Sequence, residues 1–580
     1  MRGAALADRE WRETLGHLIE FHRRAAKPGW WAMFERAEMS DEQLVDDVEC
    51  LGAISLDTKT RPVPVKQSLV YRCTFPPQDT KLRTGSEALR ADTLKGAGGI
   101  VALDDTKGVL ELRLDNRREP PPANFALIPG GPINDKVIRD AVGRCADAVV
   151  DGKRAFPAVL DILRKAPPRL KGRAAGTPLA AAGADPVEAT IAATMALDDS
   201  YLLIQGPPGT GKTYTSARAI VALLKEGKRV AVSSNSHKAI LNLLREVDKV
   251  AEAANVKFLG VKKSSDEDDS LGGRQIVDVY DNEPATDPKY QLVAGTAWLL
   301  ARPEFAGRFD FLFVDEAGQV SLANVVAMGT SARSIVLVGD QMQLAQPVQG
   351  VHPGESGESS LDYLMGEWAT VPPDRGIFLE TTRRMHPDVC RFVSDAFYES
   401  RLTSAPGTER QALVVTPALA AHGIPATGVR FVPVAHADCS QRSEPEAARI
   451  AQLYGALLGQ HWIDREGKRR KMGTDDILVV SPYNMQVAAI AARLPEGARV
   501  GTVDKFQGQE AAAVLVSMAT SSAEEMPRGI EFLFSRNRLN VAVSRARCVA
   551  VVVASPRLFE VPCSTIEQME QVSSFCRLVR

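Results

Sequence analysis

Residues 206–213 read Gly206-Pro207-Pro208-Gly209-Thr210-Gly211-Lys212-Thr213, directly after the apolar run Tyr201-Leu202-Leu203-Ile204. A buried strand that ends in a glycine-rich turn and opens a helix is the setting in which such a sequence binds a triphosphate. Glycine lets backbone N–H groups close on the phosphates, and the helix N-terminus adds a favourable dipole. On this pattern Lys212 reaches the β- and γ-phosphates and the Thr213 hydroxyl ligates Mg²⁺. A glycine turn that merely contains Lys-Thr is the bland alternative, and the strand–loop–helix context weighs against it. The chain is expected to bind a nucleotide.

At 580 residues the chain is long enough for three to four domains of ordinary size. Its 45% hydrophobic and 24% charged content is that of an ordinary globular protein. No apolar run approaches the ~18 residues that span a bilayer, and Met1-Arg2-Gly3-Ala4 leads into charged residues without a signal-peptide core. No membrane association and a cytoplasmic location are the default expectation. The eight cysteines stand singly, with no Cys-x-x-Cys pair, so no zinc site or disulfide frame is suggested. The net charge of −2 does not advertise a nucleic-acid binder, but a groove can be basic while the rest is acidic. Two basic clusters, Arg164 to Arg173 and Lys468-Arg469-Arg470-Lys471, read as solvated linker and hairpin tip before they read as binding surfaces.

Along the chain, residues 1–60 read as a helical N-terminal segment that carries Trp30-Trp31-Ala32-Met33-Phe34, expected to plug a domain interface rather than to stack bases. Residues 61–130 alternate short β-like runs with Gly/Asp-rich turns, the pattern of a small barrel. Residues 131–185 read as a helical stalk and linker. From 186 the pattern becomes strand-then-helix, the mark of a parallel α/β core. One set of strands (Tyr201–Gln205, Arg229–Ser233, Leu292–Gly295, Phe311–Val314, Ser334–Val338) assigns 186–375 to a first lobe. A second set (Gly376–Leu379, Ile477–Val480, Arg499–Val503, Ala513–Met518, Val549–Ala554) assigns 376–562 to a second lobe, with 563–580 as a tail. The acidic stretch 264–269 is expected to form a mobile surface loop.

Two further strands end in polar residues. Phe311-Leu312-Phe313-Val314 runs into Asp315-Glu316-Ala317: Asp315 at the strand tip can hold Mg²⁺ through its water shell, and Glu316 can accept a proton from the attacking water. Ile335-Val336-Leu337-Val338 runs into Gly339-Asp340-Gln341-Met342-Gln343, where Gln343 can sense the γ-phosphate or orient the water. Short hydroxyl and amide side chains at other strand ends can bind a phosphate backbone without demanding a base. Candidates are Ser234, Asn235, Ser236 and His237, then Thr296, Ser481, Thr502 and Gln507. For Ser236 and Thr296 a helix N-cap is an equal alternative. Trp298 and Tyr483 read as core before they read as base-stacking residues.

The order of these motifs resembles superfamily 1 helicases. Thr382-Arg383-Arg384-Met385-His386-Pro387, Gly501-Thr502-Val503-Asp504-Lys505-Phe506-Gln507-Gly508-Gln509-Glu510 and Asn540-Val541-Ala542-Val543-Ser544-Arg545 strengthen the likeness. They are similar to the 5′→3′ branch that includes the helicase of nonsense-mediated decay and the eukaryotic replication nuclease-helicase. They also resemble the helicase half of bacterial fusions with a RecB-like nuclease. The resemblance covers 185–560 densely and implies an α/β fold of two RecA-like parallel-sheet lobes of P-loop NTPase type, with ATP and Mg²⁺ between them. It implies that Arg384 and Arg545 are arginine fingers, worth roughly 10³–10⁵ in rate, and that Glu510 accepts hydrogen bonds from the ribose. It also implies an ATP-dependent helicase on single-stranded nucleic acid, DNA before RNA. A protein-displacing ATPase and a nucleotide-dependent scaffold are the rival readings.

Three features depart from the family pattern. No glutamine stands about 17 residues before the phosphate loop, where relatives read adenine; the chain has Asp185-Pro186-Val187-Glu188 there. Arg383 stands where a relative often has Tyr. No nuclease signature precedes the helicase, so a nuclease would be a separate subunit or a missing N-terminal domain.

Overall fold

The computed structural model describes residues 2–76, 78–105, 107–181, 183–265, 269–506 and 508–579, with side chains from residue 8 onward. The chain divides into two units, one of residues 20–136 with 348–353, the other of residues 1–19, 137–347 and 354–580.

The smaller unit is built on an antiparallel sheet closed on itself. In order around the ring its strands are Leu51–Leu56, Asn124–Pro129, Glu87–Arg90, Gly96–Asp104, Val109–Asp115 and Ser68–Thr74, and the last pairs back to the first. Val63–Val65 adds a hairpin strand outside the ring. Closure removes the unpaired edges a sheet would otherwise expose. The barrel thus opens at Leu51, ahead of residue 61, because Leu51 and Ile54 face its core. The helix Phe21–Glu38 leaves Trp30, Trp31 and Phe34 exposed, Trp31 at 72%.

The larger unit holds two parallel sheets. The first runs, in spatial order, Ile276–Val279, Gly260–Lys263, Leu292–Ala294, Val230–Ser233, Phe309–Val314, Ala332–Gly339, Tyr201–Gln205 and Gly376–Phe378. The second runs Gly428–Pro433, Ala546–Ala554, Ala511–Ser517, Ile477–Val480 and Arg499–Gly501. Strands of a parallel sheet covered on both faces are apolar throughout. Tyr201–Gln205, Val230–Ser233 and Ile477–Val480 are accordingly buried at every position. The helices Lys212–Lys225 and His237–Ala253 supply one covering layer of the first sheet, and Pro157–Leu163 with Leu322–Gly329 packs against its strand Ala332–Gly339.

Gly376–Phe378, expected in the second set of strands, pairs instead with Tyr201–Gln205 and closes the first sheet. The second sheet gains Gly428–Pro433, a strand that a search for apolar runs passes over. Among the described residues no helix is long and apolar enough to cross a membrane.

The spatial order matters for function. Phe309–Val314, Ala332–Gly339 and Tyr201–Gln205 are neighbours, all pointing the same way. At about 4.8 Å between strands, the tips that carry Asp315, Asp340 and Gly206 lie within ~10 Å of one another. Phe313 is fully buried in the first of these strands, Phe309–Val314. Phe313→Ala should lower the unfolding free energy by about 3–5 kcal/mol, read as an earlier midpoint in chemical denaturation; an unchanged midpoint would count against this packing.

Candidate active site

The phosphate loop depends on two left-handed glycines, Gly209 at φ +78 and Gly211 at φ +86. Glycine adopts this conformation without steric cost. The loop is tied to the next strand tip by Gly206 N–H donating to the Gly339 carbonyl at 2.9 Å. Lys212 Nζ donates to the Gly206 carbonyl at 2.6 Å, folded back over the loop where phosphates would sit. A Cβ on Gly206 would come within 2.3 Å of Lys212 Cγ, so only glycine leaves room for the lysine.

A cavity of about 790 Å³ opens above this loop. Lys212, Asp315, Glu316 and Gln343 line it from the first sheet, and Arg384 and Arg545 line it from the far side. Asp315 is buried at the strand tip, and Glu316 follows it in a left-handed conformation, φ +53. Burial, with Glu316 beside it, pushes the Asp315 carboxyl up to about 7 against the pull of the Lys212 ammonium. The Thr213 hydroxyl and the Asp315 carboxylate are hard oxygen donors that suit Mg²⁺. A divalent cation there would supply the positive charge that this buried carboxylate lacks.

The facing side has the opposite imbalance. Arg545 is buried, donates to the Gln509 carbonyl at 3.3 Å, and has no partner for Nε among the described residues. Burial and the neighbouring Arg384 lower it to about 9, while Glu316 and Glu510 act against that shift. Arg384 Nε donates to Glu510 at 2.6 Å and Arg384 Nη1 donates to the Ser544 carbonyl at 3.2 Å. Glu510 also accepts from Arg547 at 2.5 Å, so its carboxylate is shared between two guanidiniums.

The strand-end hydroxyls fall into different surroundings. Ser234, Asn235 and Ser236 line the same cavity as Lys212. Ser234 Oγ is buried with no partner among the described residues, whereas Ser236 Oγ accepts from the Ala239 N–H as a helix cap. His237 lies against Asp269 at 2.8 Å and Ser265 at 3.2 Å. Thr296 precedes the short helix Ala297–Leu300 without a side-chain cap bond. Ser481 is buried with Oγ unpartnered among the described residues, and Thr502 follows the strand Arg499–Gly501 half-buried. Tyr483 is buried, with its ring 5.5 Å from that of Phe532, and Trp298 is half-buried. Gln507 lies outside the described residues.

Motifs alone do not disclose a polar chain that runs from Gln343 into the second lobe. Gln343 Nε2 donates to the buried Asp340 carboxylate at 3.0 Å, and Tyr398 OH donates to the same oxygen at 2.7 Å. Asn540 Nδ2 donates to Tyr398 OH and to the Met342 carbonyl, each at 2.7 Å. Asn537 donates to the Gln341 carbonyl at 2.7 Å from the same helix, Arg536–Val543, which leads directly to Arg545. Tyr398 carries no motif signal; only the fold brings it here.

Two AAA domain families match this chain, one over residues 188–355 and one over 358–557. The DNA replication ATP-dependent helicase/nuclease JHS1 of Arabidopsis thaliana is 27% identical over 62% of this chain. The Regulator of nonsense transcripts 1 homolog of Drosophila melanogaster is 26% identical over 63% of it. The chain spans 27% and 34% of those two proteins' own lengths. Among solved structures, the Arterivirus nonstructural protein 10 (helicase) aligns over 84% of this chain and 77% of that one, at 15% identity and a TM-score of 0.37.

Two outcomes are expected from this geometry. If Asp315, whose carboxyl is raised to about 7, is a ligand of Mg²⁺, metal and proton compete for it, and raising free Mg²⁺ should move the acid limb of the kcat/KM profile for nucleotide hydrolysis to lower pH. A limb that stays fixed would remove Asp315 from the metal site. Tyr398→Phe deletes one hydrogen bond to a buried carboxylate without making a cavity, and should lower kcat about tenfold with little change in KM. An unchanged kcat would leave the chain of bonds without a role in turnover.

Proposed function

We propose that this chain, whose two motor lobes belong to the superfamily 1 helicases, is an ATP-driven motor that moves 5′→3′ along single-stranded nucleic acid and separates duplex ahead of it. One observation carries the reading. A lysine and two carboxylates on one lobe face two arginines on the other, across a cavity large enough for a triphosphate. Lys212 and the two guanidiniums are placed to neutralise charge that develops on the γ-phosphate, and Glu316 to take the proton of the attacking water. A nucleotide held by both lobes draws them together, and its hydrolysis releases them.

DNA is favoured as the strand, because the replication helicase/nuclease is among the relatives. The relative named for nonsense transcripts keeps RNA as the second reading. A nuclease, as a separate subunit or a further domain, is a fitting partner on the same ground. A scaffold that only binds nucleotide would not need Glu316, Arg384 and Arg545 around one cavity.

Where relatives read adenine with a glutamine, Asp185 accepts from the Val187 and Glu188 N–H groups and caps the helix Pro186–Ala196. Its side chain is thus spent on the backbone. Arg383 lies 5.5 Å from the Tyr214 ring, next to the phosphate loop, and offers a base a stacking surface in place of specific hydrogen bonds.

The test compares ATP turnover with single-stranded DNA, single-stranded RNA, duplex, and no nucleic acid, alongside unwinding of 5′-tailed and 3′-tailed duplexes. Turnover should rise most with single-stranded DNA, and only 5′-tailed duplex should be unwound. Lys212→Ala should abolish turnover, and Glu316→Gln should retain bound ATP without hydrolysing it. Turnover in either variant at the wild-type rate would refute the assignment.

A further inference from the structure

At the opposite end of the phosphate-loop strand lies a second cavity, of about 480 Å³, that the motor chemistry does not use. The strand Tyr201–Gln205 has five residues, so the two sites are separated by roughly 17 Å of strand. Two segments distant in sequence form it: the helix Arg2–Ile19, and one continuous stretch from the end of the helix Lys136–Val150 through the following turn and the helix Pro157–Leu163 to residue 169. Five cations line it: Arg12, Lys153, Arg154, Arg164 and Arg169. Asp161 is the only carboxylate among the lining residues.

Three of those cations are matched. Arg12 pairs with Asp8 at 3.0 Å, Lys153 with Asp151 at 2.7 Å, and Arg169 with the buried Asp161, which also accepts from Ser200 Oγ at 2.6 Å. Arg154 and Arg164 have no carboxylate at ion-pair distance among the described residues and are both exposed at the cavity. The site therefore carries two surplus guanidiniums. Trp11 is buried beneath it, its Nε1 donating to Asp8 at 2.9 Å. The guanidiniums of Arg12 and Arg164 each lie 4.8 Å from the Trp11 ring centroid. A guanidinium stacked on an indole is restrained while its N–H edge stays open to accept an anion.

We propose that this cavity is a phosphate-binding site, and that its occupant is the phosphodiester backbone of the nucleic acid the motor acts on. Planar guanidinium forks match phosphate oxygens in pairs, which a mobile lysine patch does not. The cavity is roomy enough for one phosphodiester with its sugar and offers no base-edge recognition, so it would hold any sequence. The backbone as source rests on the motor reading; the anion site itself does not.

The experiment uses the full chain and the R154E/R164E double variant. The first arm measures affinity for a labelled oligothymidylate by anisotropy across a salt series, without nucleotide. Each phosphate contact to a single strand contributes about 0.7 to the slope of log K against log salt. The variant should therefore lose roughly 1.4 from that slope, with ATP turnover in the absence of nucleic acid unchanged. The second arm titrates inorganic phosphate calorimetrically into wild type and variant. A slope loss, with or without phosphate heat, supports the backbone as occupant. Heat that vanishes in the variant, with the slope intact, supports the anion site and moves its occupant to a free phosphate. An unchanged slope together with unchanged heat overturns the proposal. If charge reversal prevents folding, R154Q/R164Q removes the same contacts at exposed positions and carries the same expectations. Failure of the motor reading would show separately, as turnover that no nucleic acid stimulates.

Discussion

The arrangement at the nucleotide cavity depends on how closely one stretch of chain, residues 382–384, lies against the phosphate loop. Thr382 Oγ1 donates to the Pro208 carbonyl at 2.9 Å, and the Arg383 N–H donates to the Gly209 carbonyl at 2.9 Å. A Cβ on Gly209 would meet Arg384 Cβ and Thr382 Oγ1, each at 2.6 Å. Two requirements therefore fall on the one residue: a left-handed backbone and no side chain. The first shapes the loop for phosphates. The second lets Arg384 reach the cavity, where its side chain is held by Glu510 and Ser544. Backbone proximity thus sets Arg384 against the loop, and its ion pair with Glu510 fixes the direction of its side chain.

Electrostatics then makes the cavity incomplete in a defined way. One wall sets the buried Asp315 beside the half-buried Glu316, and burial raises Asp315. The other wall buries Arg545 beside Arg384, and burial lowers Arg545. Each wall holds like charges that repel at close range in a medium of low dielectric. On the proposed reading a divalent cation would relieve the first wall and a polyanion the second, so a metal–triphosphate complex would satisfy both. This complementarity favours the complex over either component alone.

Much of this is legible in the sequence because strand-terminal polar residues after apolar runs announce themselves. Lys212, Asp315 and Gln343 each stand just beyond a buried apolar strand, and their convergence comes from the adjacency of those three strands. Assignment of a strand to a sheet is less legible. Gly376-Ile377-Phe378 has the same apolar character whether it pairs with Tyr201–Gln205 or with a strand of the second lobe, and only the path of the preceding chain decides. Gly428–Pro433 escapes notice because it is an edge strand with Arg430 exposed and Phe431 half-buried, so it alternates instead of forming a run. Tyr398 is invisible for a different reason. Its importance lies in a hydroxyl that meets Asp340 across 58 residues of chain, and no local pattern encodes a pairing of that kind.

That tyrosine bears on how a motor of this design would pass information between lobes. On the proposed reading Gln343 faces the γ-phosphate, and it shares the Asp340 carboxylate with Tyr398. Asn540 binds both Tyr398 and the Met342 carbonyl, from the helix that ends beside Arg545. A buried carboxylate must keep its donors, because an unmet acceptor in that setting costs about 1–3 kcal/mol or more. Loss of the γ-phosphate frees Gln343 to move, and any movement that strips its donor from Asp340 must be compensated by Tyr398. Tyr398 cannot shift without disturbing Asn540 and, through one helix, the finger. The coupling needs no long-range deformation, since four hydrogen-bonded side chains span the distance between the two lobes.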